Sequence, residues 1–179
     1  MGIFGEKEIY KYRLLERYKK GVDGCQFVGE TSAYRIYTLK HQTLSNTYFL
    51  RQEKANPKKV VYLGRAHRNI CVFHNKIYSI DRMSLTGRSY HPLFCTDIET
   101  GTRTEIAVLS KKQCHVLVPG SLHFYCQDMV ESIKISGDAV VIEVNRYKEG
   151  VNYEKEFTYY IYIRHNGSSL VIEYDYGSL

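Results

Sequence analysis

Three stretches of this chain repeat one order of short extended segments, and that tandem order restricts the fold more than any other feature. In residues 25–64 the segments are CQFVGE, SAYRIYTLKH, NTYFLRQEK and KKVVYLG; in residues 69–109 they are NICVFH, NKIYSIDR, YHPLFCTDIETG and TRTEIAVL. Residues 132–177 read SIKISG, DAVVIEVNRY, EFTYYIYIRHNG and SSLVIEYDYG. Apolar and polar residues alternate in nearly every segment, the period of a strand with one buried face. Turn residues fall in matching places. Gly29-Glu30, His74-Asn75 and Gly137-Asp138 separate the first two segments of each unit, and Asn56-Pro57, Thr100-Gly101 and Asn166-Gly167 lie between the last two. The wider gap before the third unit holds an extra hairpin, residues 113–127, bent at Pro119-Gly120.

Composition agrees with this order. Seventeen Tyr against no Trp and three Pro favour pleated, half-buried surfaces over helices. A chain of 179 residues makes one domain with a real core. Only residues 1–20 read otherwise: Tyr10, Leu14, Leu15 and Tyr18 form one stripe of a short N-terminal helix, ended by Gly21 and Gly24. The expected class is all-β, a set of tandem four-stranded antiparallel meanders after that helix.

The last hairpin can be read in register, because Asn-Gly is the strongest short signal for a two-residue turn. Centred on Asn166-Gly167, it sets Ile163 against Leu170, Ile161 against Ile172 and Tyr159 against Tyr174, an apolar face meant for the core. The other face sets Arg164 against Ser169, Tyr162 against Val171, Tyr160 against Glu173 and Thr158 against Asp175. It is a row of aromatic bodies with polar tips.

NKIYSID followed by LFCTDIETGTRTEI resembles the inner-strand and outer-hairpin pattern of β-propeller blades, with a D-x-x-T-G turn at Asp97 to Gly101 joining the last two strands. The resemblance covers about three quarters of the chain and implies blades arranged round an axis. Three units and a hairpin fall short of the usual minimum of about four blades, so the same meanders could instead form a sandwich or open barrel.

Charge and cysteine usage bound the function. The net charge of +6 is mild, and the basic residues are scattered; Arg65, Arg68, Arg82 and Arg88 are the candidates for a basic surface that would touch phosphates. Five cysteines, an odd number with no C-x-x-C, read as reduced thiols, and the start of the chain has no apolar run of signal-peptide length, so a cytoplasmic protein is expected.

Seven histidines show no metal-binding spacing. His115 and His123 are expected roughly cross-strand about Gly120, with Cys114 and Cys126 nearby. Adjacent strand residues point to opposite faces, so Cys114 and His115 cannot form a nucleophile–base pair with each other. Glu173 and Asp175 share a face, which suits a carboxylate pair but equally an ordinary solvated strand. No phosphate loop, dinucleotide fingerprint or G-x-S-x-G elbow occurs. Neither a cofactor nor a metal is expected.

What remains is the tyrosine face. Tyr combines a large apolar body with few rotamers and a hydroxyl, the properties that suit a surface gripping another protein. Tyr160, Tyr162, Arg164 and Glu173 are therefore the expected partner-binding residues of a non-catalytic module of the inhibitor, immunity-protein or adaptor sort. The alternatives are a nucleic-acid-binding β protein, and a hydrolase or glycan-processing enzyme using Glu173, Asp175 or the Cys114, His115 and His123 neighbourhood.

Overall fold

The computed structural model describes residues 22, 24–40, 46–67, 70–81, 83–85, 88–109, 113–118, 121–126, 128–147, 154–167 and 169–177. The expected N-terminal helix over 1–20 lies outside them. Among the described residues there is no helix, and fifteen strands form: β1 Gln26–Glu30, β2 Tyr34–Lys40, β3 Asn46–Glu53, β4 Val60–His67, β5 Ile70–Phe73, β6 Lys76–Ile80, β7 Met83–Leu85, β8 Arg88–Asp97, β9 Arg103–Leu109, β10 Gln113–Val118, β11 Ser121–Cys126, β12 Asp128–Ser136, β13 Ala139–Tyr147, β14 Lys155–Asn166 and β15 Ser169–Asp175.

Three four-stranded antiparallel meanders account for most of them: β1-β2-β3-β4, then β5-β6-β8-β9, then β12-β13-β14-β15. The tandem order of the sequence is the order of the sheets. The hairpin β10-β11 stands apart as a two-stranded sheet, and β7 adds a short pairing to the Arg88–Tyr90 end of β8 that the sequence pattern does not announce.

Local chemistry explains the turns. His74 and Asn75 both take positive φ, 45° and 58°, the backbone a tight two-residue hairpin loop demands, without a glycine. In the Asp97 turn, Asp97 Oδ1 accepts the Thr100 amide at 2.8 Å and the Thr100 hydroxyl at 3.1 Å, while the Gly101 amide bonds the Asp97 carbonyl at 2.9 Å. An Asp at that place thus substitutes for missing backbone partners as the chain reverses.

Two expectations about turns need correction. Gly29-Glu30 is not the first bend: Glu30 still pairs with Arg35, the chain reverses over 31–33, and Gly29 lies at an irregularity in the pairing. The last hairpin is displaced by two residues from the register read off Asn-Gly. Asn166 pairs with Ser169, so Gly167, at φ +62°, and not the asparagine takes the first loop position. Ile161 then faces Tyr174, Ile163 faces Ile172, Tyr162 faces Glu173 and Tyr160 faces Asp175. Side chains alternate with a period of two, so a shift of two changes partners and preserves faces.

The sheets are layered. Ile36, Phe49, Leu63 and Ala66 of the first sheet pack with Ile70, Ile77 and Ile98 of the second. On the second sheet's other face, Cys71, Tyr78, Ile80, Leu93 and Cys95 pack with Val140, Ile142, Val144, Tyr159, Ile161 and Ile163 of the third. The middle sheet is therefore buried on both faces, which is why Ile77, Tyr78, Ser79 and Ile80 are consecutively buried along β6. The first strands of the three sheets also meet, β1 against β5 and β5 against β12. No closed ring forms among the described residues.

Close packing is visible at Gly64, which pairs with Phe49 across the strands. A Cβ placed there would lie 2.8 Å from Phe49 Cζ, so glycine lets the fully buried ring lie against the backbone.

Candidate functional site

The residues expected to bind a partner do come together. Tyr160, Tyr162 and Arg164 alternate along β14, and Glu173 stands opposite Tyr162 on β15. They occupy the face of the third sheet opposite the one that meets the middle sheet, since Ile161 and Ile163 are the buried core residues between them. Toward β13 the same rows continue as Val141 opposite Tyr162, Glu143 opposite Tyr160, Asn145 opposite Thr158 and Ala139 opposite Arg164. Ala139, Val141 and Asn145 are buried while both tyrosines are half-exposed. The face thus has a floor of short side chains with taller aromatic bodies beside it.

Its charges are organised. The Arg164 guanidinium donates to Glu173 Oε2, lies 5.2 Å from the centre of the Tyr162 ring, and has Asp138 Oδ1 at 3.6 Å. Stacking on an aromatic ring while paired with a carboxylate holds the planar guanidinium in one orientation at low entropic cost. Farther along, Ser132 donates to Glu143 at 3.2 Å and Thr158 to Asn145 at 2.7 Å.

Of the candidates for a basic surface, the structure describes the side chain of Arg65. Arg65 Nε sits 3.2 Å from Asp81 Oδ2, and Arg103 Nη2 approaches the same oxygen at 3.7 Å while donating to the Arg65 carbonyl at 2.9 Å. Arg65 is thus engaged between sheets. Arg88 begins β8, opposite Leu85, and Arg68 and Arg82 lie outside the described residues.

His115 and His123 stand on the paired strands β10 and β11, roughly but not directly across from each other. The register pairs His115 with Phe124 and His123 with Val116, one step out of line, and likewise Cys114 with Tyr125 and Cys126 with Gln113. No group of three or more metal-binding side chains is found among the described residues.

One cluster escaped sequence reasoning. The Tyr78 hydroxyl and His165 Nε2 share a 2.6 Å hydrogen bond between residues 87 positions apart, and His165 also stacks edge-on against His74, with ring centres 5.4 Å apart. Cys71 and Cys95 flank Tyr78 on the neighbouring strands. Burial pushes the Cys71 thiol up to about 11 and raises Cys95 as well, so neither presents a thiolate at neutral pH and both serve as small core residues. His165 is shifted the other way, lowered by burial and then by His74 and Lys76, which keeps its ring neutral beside Tyr78. Alternation along β14 already puts His165 on the core face with Ile161 and Ile163, but its contact with Tyr78 depends on how two sheets stack.

A second aromatic group ends the same sheet. Tyr176 stacks on Tyr159 at 5.2 Å and lies nearly parallel to Tyr174 at 6.4 Å, with the Arg146 guanidinium 5.7 Å from the Tyr159 ring centre.

Compared with known proteins, the chain matches no family model, no curated protein and no solved structure.

Proposed function

We propose that this chain is a non-catalytic protein-binding module of the inhibitor, immunity-protein or adaptor sort, built from propeller-type blades, and that it grips its partner with the outer face of the third sheet. The observation that carries the reading is the grouping of Tyr160, Tyr162, Arg164 and Glu173 in adjacent rows of one sheet face turned away from the core. Half-exposed tyrosines over a floor of buried short residues offer large contact area with little side-chain freedom left to lose. The Arg164–Glu173 pair at the rim supplies a directional charged contact.

Capture from native lysate tests this, comparing wild type with Tyr160→Ala/Tyr162→Ala. The expected result is a protein retained by wild type and lost by the variant. Identical capture by both would remove the assignment of this face.

A further inference from the structure

We propose that the partner taken by this face is a second copy of the chain, seated so that the outer face of the third sheet in each copy covers the outer face of the first sheet in the other. This rests on the reading of the face as a protein-binding surface and names its occupant.

The packing already present within one chain argues for it. Counted from the first bend of each sheet, the third strand residue is Ile36, Tyr78 or Val141, and all three are buried. Ile36 points toward the middle sheet and Tyr78 toward the third. The face bearing Val141 is therefore the equivalent of the two faces that the chain itself covers. The fourth residue is Tyr37, Ser79 or Ile142, and here the sheet without a neighbouring sheet among the described residues is the first. Among the described residues the same pairing of faces thus occurs twice and stops at both ends. A third application joins the third sheet of one copy to the first sheet of another.

The two faces left without a sheet among the described residues are suited to each other. On the first sheet, Phe27, Tyr37, Leu50 and Tyr62 form one row across four strands, with Tyr48 opposite Leu39 in the next. Leu50 is fully buried among them and Phe27 is 52% exposed. Burial lifts the Tyr62 hydroxyl to about 12, with Tyr48 adding to the rise and Arg103 and Arg65 opposing it. On the third sheet Glu143, Glu173 and Asp175 outnumber Lys134 and Arg164, while on the first Arg35 and Glu30 pair with each other.

Closure decides the number of copies. The contacts of β1 with β5 and of β5 with β12 make the sheets radiate from their first strands, as in rings of about four to eight four-stranded sheets. Three sheets cannot close such a ring, whereas two copies of three can. A twofold axis then makes both junctions identical.

Light scattering after size exclusion, run on the full chain over a wide range of concentration, tests the proposal. Wild type is expected at twice 20.9 kDa. Phe27→Asp alone and Tyr160→Ala/Tyr162→Ala alone should each run at 20.9 kDa with unchanged far-UV circular dichroism. An equimolar mixture of the two should recover the doubled mass, because one of the two junctions in the mixed pair then joins two unaltered faces. If the tyrosine variant loses its folded spectrum, Glu173→Arg on the same face replaces it. A wild type that stays monomeric, a mixture that fails to recover, or a growing series of larger oligomers would each overturn the closed pair. Monomeric wild type that still captures another protein through Tyr160 and Tyr162 would defeat only the self-pairing. Capture and mass both unchanged in the tyrosine variant would defeat the binding face as well.

Discussion

Where the first sheet meets the middle one, guanidinium groups tie the layers, whereas hydrocarbon does most of the joining between the middle sheet and the third. At the first junction Arg51 donates to the carbonyls of Ile98 and Glu99 at the Asp97 turn, and Arg65 and Arg103 converge on Asp81, whose side chain is only 5% exposed. The apolar part of that junction is the smaller of the two, with Phe49 its one fully buried ring. At the second junction two runs of β-branched residues, Val140, Ile142 and Val144 on β13 and Ile161 and Ile163 on β14, meet Tyr78, Ile80 and Leu93. Its distinctive polar contact is the Tyr78–His165 bond. Hydrophobic burial is non-directional and tolerates small shifts, while a carboxylate held by two guanidinium groups fixes orientation. The first junction should then be specified by geometry and the second by area.

Substitution should separate them. Ile142 and Ile161 face each other and are fully buried, so Ile142→Ala or Ile161→Ala should destabilise by about 2–5 kcal/mol through lost transfer energy and a residual cavity. Denaturant unfolding measures this; a loss below about 1 kcal/mol would mean that the third sheet is not seated on that core.

At the other junction, Asp81→Ala leaves Arg65 and Arg103 facing one another without their anion. Breaking a fully buried pair costs about 3–5 kcal/mol, but Arg65 is 35% exposed and solvent screens part of the effect, so about 2 kcal/mol is expected in the same assay. An unchanged unfolding midpoint would remove the charged tie from the comparison.

A smaller effect concerns pH. His165 is held below its ordinary value of 6.5 in the folded chain, so the unfolded chain takes up the proton first as pH falls. Its contribution to stability is constant above 6.5 and is lost on going below it toward the lowered folded value. Stability of His165→Gln relative to wild type should therefore lack that segment of the pH profile; parallel profiles between neutral pH and the carboxylate range would contradict the shift. Smallest of all, Arg164→Gln removes an exposed ion pair and should change stability by about 0.5 kcal/mol or less, while any effect on partner capture would be read separately.

The sequence revealed the strands and most bends because both are local: alternation marks a half-buried strand, and His74-Asn75, Gly137-Asp138 and Thr100-Gly101 sit where the chain turns. Faces were legible too, since the two-residue displacement of the last hairpin left Ile161 and Ile163 inward and Tyr160 and Tyr162 outward. What the pattern could not carry was anything set by neighbouring layers. Gly29 looked like a turn residue, yet it is built against Val72, whose Cβ would lie 3.1 Å from an added Cβ. The Tyr78–His165 bond and the convergence of Arg65 and Arg103 on Asp81 depend on how the sheets stack, which alternation along one strand does not encode. Arg65 read as a free basic residue for that reason.

Native-state amide hydrogen exchange on β2 and β6 tests the layering itself. Both are second strands with a paired neighbour on either side, but among the described residues a sheet covers β2 on one face and β6 on two. If the middle sheet lies between the others, the β6 amides exchange more slowly than those of β2, at a rate set by global unfolding. Exchange in β6 as fast as in β2 would contradict it.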